Sequence, residues 1–109
     1  MDEGDIIDSV IYQRHTENDL KFEGRSVRDL ISTHELESFV SNYLIKEKED
    51  SEKFIKLNEM AKFLYENGFF SHAIKISQLT ISLIKENPND EIYQKCLLRI
   101  ENSHKFLGT

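Results

Sequence analysis

The side chains best able to do chemistry in this 109-residue chain are four histidines, one cysteine and a run of acids around His34. No two of His15, His34, His72 and His104 are three or four residues apart, and neither H-x-x-x-H nor H-E-x-x-H occurs. One helix face therefore cannot offer two imidazoles to a metal ion. Cys96 is the single cysteine, so a cysteine-based zinc site and an intrachain disulfide are both impossible within one chain. In Thr33-His34-Glu35-Leu36-Glu37 the two glutamates are two residues apart, face different ways on a helix and cannot share a substrate as an acid–base pair. The four glycines are isolated, without the G-x-x-x-x-G-K spacing that cradles a phosphate. Cys96 falls on an apolar helix face, where a buried, inert thiol is expected. His104 extends that face as half-buried packing or as a cation near the negative helix end. No catalytic, metal or cofactor residue is expected.

Composition points the same way. Hydrophobic residues make up 39% and charged residues 31% of the chain, with only four glycines and one proline to interrupt it, which favours a folded all-α domain over many short strands. The net charge of −6 is unevenly spread: residues 1–52 hold 14 acidic and 6 basic side chains, residues 53–109 hold 6 and 8. An acidic front half argues against nucleic-acid binding, and the mild positive excess behind it suits an acidic peptide. Neither a secretory signal pattern nor an apolar run of membrane-spanning length is present, so no membrane insertion and a cytoplasmic location are expected.

The elements follow from periodicity and caps. Ile6, Ile7, Val10 and Ile11 fall at helical spacing, and residues 13–25 read as a loop or linker closed by Gly24. Residues 1–25 are thus expected to be an acidic segment, partly ordered or a short helix, ahead of a helical domain over 26–109. Ser26 with Asp29 predicts an N-cap for a short helix through Val27, Leu30 and Ile31. Ser32-x-x-Glu35 predicts a capping box for a helix over 33–48, whose apolar stripe is Leu36, Phe39, Val40, Tyr43 and Leu44. Asp50 or Ser51 should cap the next helix, with Phe54, Leu57, Met60, Ala61 and Leu64 on one face and Gly68 ending it. A helix over 71–86 is apolar nearly all round, which predicts cover on two sides. After a turn at Asn87-Pro88-Asn89-Asp90, the last helix shows a narrow face of Tyr93, Cys96, Leu97 and Ile100 continuing to Leu107, its other side left for water.

Phe54 to Pro88 resembles one tetratricopeptide repeat, with Leu57, the Met60-Ala61 pair, Leu64 and Ala73 at the signature's large and small positions and Gly68 in the turn. Ser77, Thr80 and a late Pro88 depart from that pattern. The resemblance covers about a third of the chain and implies antiparallel helical hairpins stacked as a bundle of about four or five helices, closed by a capping helix.

It also implies ligand contacts on the inner face of the repeat's first helix, which by position are Ile55, Asn58, Lys62 and Tyr65. Asn58 and Lys62, four apart, resemble half of a clamp in which amide and ammonium donors hold a peptide carboxylate. Phe69 and Phe70 follow Gly68 near the surface and cannot both point one way; they are expected as a partner-binding anchor, the alternative being one ring packed under the hairpin and the other stapling the start of the next helix. The function expected on this basis is a non-enzymatic protein–protein interaction module, an adaptor, scaffold or small chaperone, holding a peptide or helix of a partner between its helices. A homodimer or hetero-complex fits such a chain. The alternative is a structural subunit that folds as an obligate bundle and has no separate peptide site.

Overall fold

Lys21–Phe22 (β1) and Arg25–Ser26 (β2) form a small antiparallel hairpin in which Lys21 lies opposite Ser26 and Phe22 opposite Arg25. The computed structural model describes residues 19–84 and 90–108; the helix expected over 5–12 and most of the Pro88 turn lie outside them. Glu23 and Gly24 both adopt positive φ (50° and 80°), the left-handed geometry that a two-residue hairpin loop requires. A loop was the expectation for this stretch. Two residues per strand are too few to show alternation, and the pairing holds because Phe22, only 3% exposed, is anchored edge-on against Tyr43 at 4.8 Å. Glu23 also ion-pairs with Lys56 at 2.6 Å, tying the hairpin to a later helix.

Five helices follow among the described residues: α1 (Val27–Ser32), α2 (Leu36–Lys46), α3 (Asp50–Glu66), α4 (Phe70–Leu83) and α5 (Glu91–Leu107). The all-α class holds. Ser26 caps α1 as its spacing predicts, its hydroxyl oxygen accepting from the Asp29 amide at 3.2 Å. The Ser32–Glu35 capping box does not form. His34 takes a left-handed φ of 59°, and the Glu35 and His34 amides donate back to the Leu30 and Ile31 carbonyls at 2.8 and 3.1 Å. That is a Schellman ending of α1, so the chain reverses inside the would-be box. Ser32 donates instead to the Asp29 carbonyl, and α2 starts at Leu36 with no side-chain cap.

The same ending recurs at α3. Gly68 sits at φ 83° while the Phe69 and Gly68 amides donate to the Leu64 and Tyr65 carbonyls at 2.8 and 3.2 Å. Glu49, rather than Asp50 or Ser51, occupies the N-cap position of α3, without a side-chain bond. Asp90 caps α5 through the Ile92 amide at 2.8 Å, and Gly108 closes it at φ 76°.

One core joins the hairpin to the first four helices: Phe22, Val27, Leu30, Leu36, Val40 and Tyr43 pack with Leu57, Met60, Leu64 and Ile76. Each fully buried leucine adds roughly 1.5–3 kcal/mol of transfer free energy. Helix α3 packs on α4, where Ala61 and Ala73 are both fully buried and let the axes approach. Helix α4 is covered on its other side by α5, as its all-round apolarity implies.

The buried face of α5 is turned slightly from its apolar stripe. Cys96 is fully buried and Tyr93 and Ile100 are half-buried, but Arg99 and Ser103 are buried as well, whereas Leu97 is 44% exposed. On α4 the small Ser77 and Thr80 are fully buried, and the Thr80 hydroxyl lies against the Cys96 thiol of α5. Hairpins α3–α4 and α4–α5 thus stack as a compact helical bundle compatible with a repeat-like arrangement.

Candidate functional site

Helices α3 and α5 flank α4 and meet along one edge, leaving a cleft of about 410 Å³ between them. On α3 the wall is Asn58, Glu59, Lys62, Tyr65 and Glu66, a stripe at helical spacing on the side opposite Leu57 and Leu64. On α5 it is Lys95, Leu98, Arg99 and Asn102. The two stripes are roughly 35–40 residues apart in sequence and become neighbours because each helix packs on α4.

Arg99 is the unusual member. Its side chain is 8% exposed, yet it has no carboxylate partner among the described residues. Its Nη1 donates to the Asn58 Oδ1 at 3.2 Å and lies 3.7 Å from the Cys96 sulfur. A buried cation held by neutral acceptors retains most of its desolvation cost, and an arriving anion would offset it. The same bond fixes the Asn58 amide, because an oxygen committed to Arg99 leaves the NH₂ group as the part able to bind a ligand. Lys62 is exposed and makes no ion pair among the described residues, whereas Lys95 is paired with Glu91 at 2.9 Å. Burial pushes the Cys96 thiol above its ordinary pKa, against the opposing pull of the Arg99 charge, so the neutral thiol is the form at pH 7.

Three aromatic rings stand together where Tyr65 ends the cleft. Phe70 stacks on Phe106 at 4.7 Å and meets Tyr65 edge-on at 5.8 Å, and Phe106 is 64% exposed. Phe69 points the other way, against the core and beneath the Arg28 guanidinium, 5.4 Å from the ring centre. The sequence-derived set therefore divides. Asn58, Lys62 and Tyr65 line the cleft, Phe70 adjoins it, Phe69 is packed elsewhere, and Ile55, 43% exposed, is not part of the wall.

Lys95, Leu98, Arg99 and Asn102 escaped the sequence reading. They form an i, i+3, i+4, i+7 stripe of their own, but α5 was oriented by its apolar residues and this side assigned to water. A second, smaller hollow holds His34, His72, Glu37 and Lys75 between the α1–α2 turn and α4. Burial holds the His72 pKa down, helped by Lys75 and opposed by Glu37. Among the described residues no group of three or more His, Cys, Asp or Glu side chains is placed to hold a metal ion, and no helix is long and apolar enough to cross a membrane. Comparison with protein-family models, with curated proteins and with solved structures gives no match, so the geometry of the cleft alone carries the functional reading.

Proposed function

We propose that this chain is a non-enzymatic protein–protein interaction module that holds an acidic segment of a partner protein in the cleft between α3 and α5. The observation that carries the reading is Arg99, a guanidinium buried at the cleft without a counter-ion among the described residues and preorganised by Asn58. A partner carboxylate would complete it with charge-assisted bonds, aided by Lys62 and the Asn58 amide. Leu98 and the Tyr65–Phe70–Phe106 cluster offer apolar contact to the residues flanking that carboxylate. The order of α3, turn, α4 and α5, with Ala61 and Ala73 at the close approach, supports a tetratricopeptide-like architecture, in which a cleft beside the first helix of the repeat is the expected place for a ligand.

Selection from a displayed random-peptide library tests this. Peptides enriched on the native chain should carry an aspartate, glutamate or terminal carboxylate beside apolar residues. They should bind the Arg99→Gln variant about ten- to a hundredfold more weakly, the loss expected for a charged hydrogen-bond partner. Enrichment of peptides without an acid, or equal binding to the folded variant, would refute the reading.

The alternative of an obligate structural subunit is favoured by a different observation, the exposure of Leu97, Leu98, Phe106 and Leu107 on the terminal helix. It requires that the isolated chain unfold without cooperativity or aggregate. A sharp, reversible unfolding transition of the monomer excludes it.

A further inference from the structure

We infer that the partner segment taken by the α3–α5 cleft is a helix whose carboxylate has a lysine or arginine four residues away, so that the cleft reads an acid and a base together. The inference deepens the reading of the cleft as a receptor for a carboxylate and rests on it. Three observations lead to the added base and to the helix that carries it.

The first is that the cleft is charged in both senses. Asn58, Lys62 and Arg99 supply donors, but Glu59 and Glu66 stand in the same α3 wall. Among the described residues neither glutamate makes an ion pair, and Lys62 pairs with neither, although it lies three residues from Glu59 and four from Glu66. Glu59 also borders the neighbouring hollow that holds Lys21 and Lys56, so Glu66 is the carboxylate left to meet a cation in the cleft. A purely acidic occupant would face both glutamates and a chain of net charge −6, and like charges placed together select against it.

The second is where Glu66 stands. Asn58 bonds to Arg99, and Tyr65 meets Phe106 at 6.2 Å between ring centres; both pairs are 41 residues apart, so α3 and α5 run parallel in one register. Arg99 therefore belongs to the Asn58 end of the cleft and Glu66 to the aromatic end, next to Tyr65 and the exposed Phe106. Aromatic faces attract cations as the carboxylate does. A partner carboxylate held between Asn58 and Lys62 stands about 6–12 Å short of Glu66 along the helix axis, and a base four residues along covers that with a rise of about 6 Å and its own long stem.

The third is the shape of the walls. Two helices of 17 residues, each about 25 Å long and both packed on α4, make a straight groove. The ridge that fits between helices is formed by side chains four residues apart on a third helix, and it sets the partner's acid and base one above the other on a single face.

Short lactam-bridged helical peptides carrying one glutamate and one arginine four residues apart, made in both orders, test the inference by fluorescence anisotropy at 0.15 M salt, where general attraction to the acidic chain is largely screened. One order should bind the native chain about tenfold more tightly than the same peptide with its arginine replaced by glutamine. That advantage should vanish against the surface variant Glu66→Gln, whose fold is checked by circular dichroism.

If the glutamine-for-arginine peptide binds as well as its parent in both orders, while replacing the peptide's glutamate weakens binding, the cleft takes an acid alone: the inference falls and the reading beneath it stands. An arginine advantage that persists against Glu66→Gln also overturns it, because the base is then read elsewhere. So does an unbridged peptide with proline between the two charges that binds as tightly as the helical one, since the occupant is then not a helix. If neither peptide charge affects binding, the inference fails together with the reading it rests on.

Discussion

Replacing Arg99 by methionine should make the protein more stable and less able to bind. The guanidinium is 8% exposed and faces no carboxylate among the described residues, so its desolvation, several kcal/mol for a buried ion after relaxation, is offset chiefly by the Asn58 bond, about 1.5–3 kcal/mol for a charged hydrogen bond. The difference leaves about 1–2 kcal/mol of net cost in the free protein. Methionine keeps the unbranched stem that packs at Cys96 and removes the charge. Urea unfolding followed by circular dichroism should therefore show a gain of about 1–2 kcal/mol, and the Tm should rise by roughly 4–8 °C for each of those kcal/mol in a domain of this size.

The second half of the prediction uses a ligand. An acidic peptide from the displayed library, present at a hundred times its Kd, should stabilise the native chain by about 2.7 kcal/mol and the methionine variant hardly at all. Destabilisation by more than about 1 kcal/mol would show that the guanidinium is compensated where it stands. The case for a stability cost accepted in exchange for binding would then be lost.

Three further outcomes follow from the geometry. His34→Gly should add about 0.5–1 kcal/mol in urea unfolding, because His34 fills a left-handed C′ position where a Cβ is disfavoured; a loss instead would mean the imidazole makes contacts worth more than that strain. Burial and then Lys75 depress the pKa of His72, so the folded state resists its protonation, and stability is full above the unfolded value near 6.5 and falls as pH drops below it towards the folded pKa. Unfolding at pH 7.5 and 5.0 should show that fall in the native chain and a smaller one in His72→Gln. Ser77→Ala should be neutral or stabilising by about 1 kcal/mol, since the Ser77 hydroxyl is buried on α4 without a hydrogen-bond partner among the described residues; a clear loss would reveal a bridging water there.

Much of the fold is legible in single residues because caps act locally. Ser26, Gly68, Asp90 and Gly108 each end or start a helix through bonds that span only a few residues, and their chemistry can be read without knowing the rest of the chain. Where the local reading fails, a competing local geometry has won. His34 in the left-handed region converts the Ser32–Glu35 capping box into the end of the preceding helix, and Glu23-Gly24 makes a hairpin of a stretch too short to show alternation.

The site divides along the same line. By itself the sequence determined the all-α class and the stripe of Leu57, Met60, Ala61 and Leu64 that aims α3 into the core, both of which follow from a helical period within one segment. Asn58, Lys62 and Tyr65 were expected only through the repeat resemblance. Only the tertiary structure decided how far the buried side of α5 turns from its apolar stripe, taking in Arg99 and Ser103 beside Cys96 and leaving Leu97 exposed, with Cys96 against the small Thr80 of α4. Periodicity ranks faces by hydrophobicity, but the fit between two surfaces selects which one packs. A buried Arg99 held by Asn58, forty-one residues away, exists only once both helices have packed on α4.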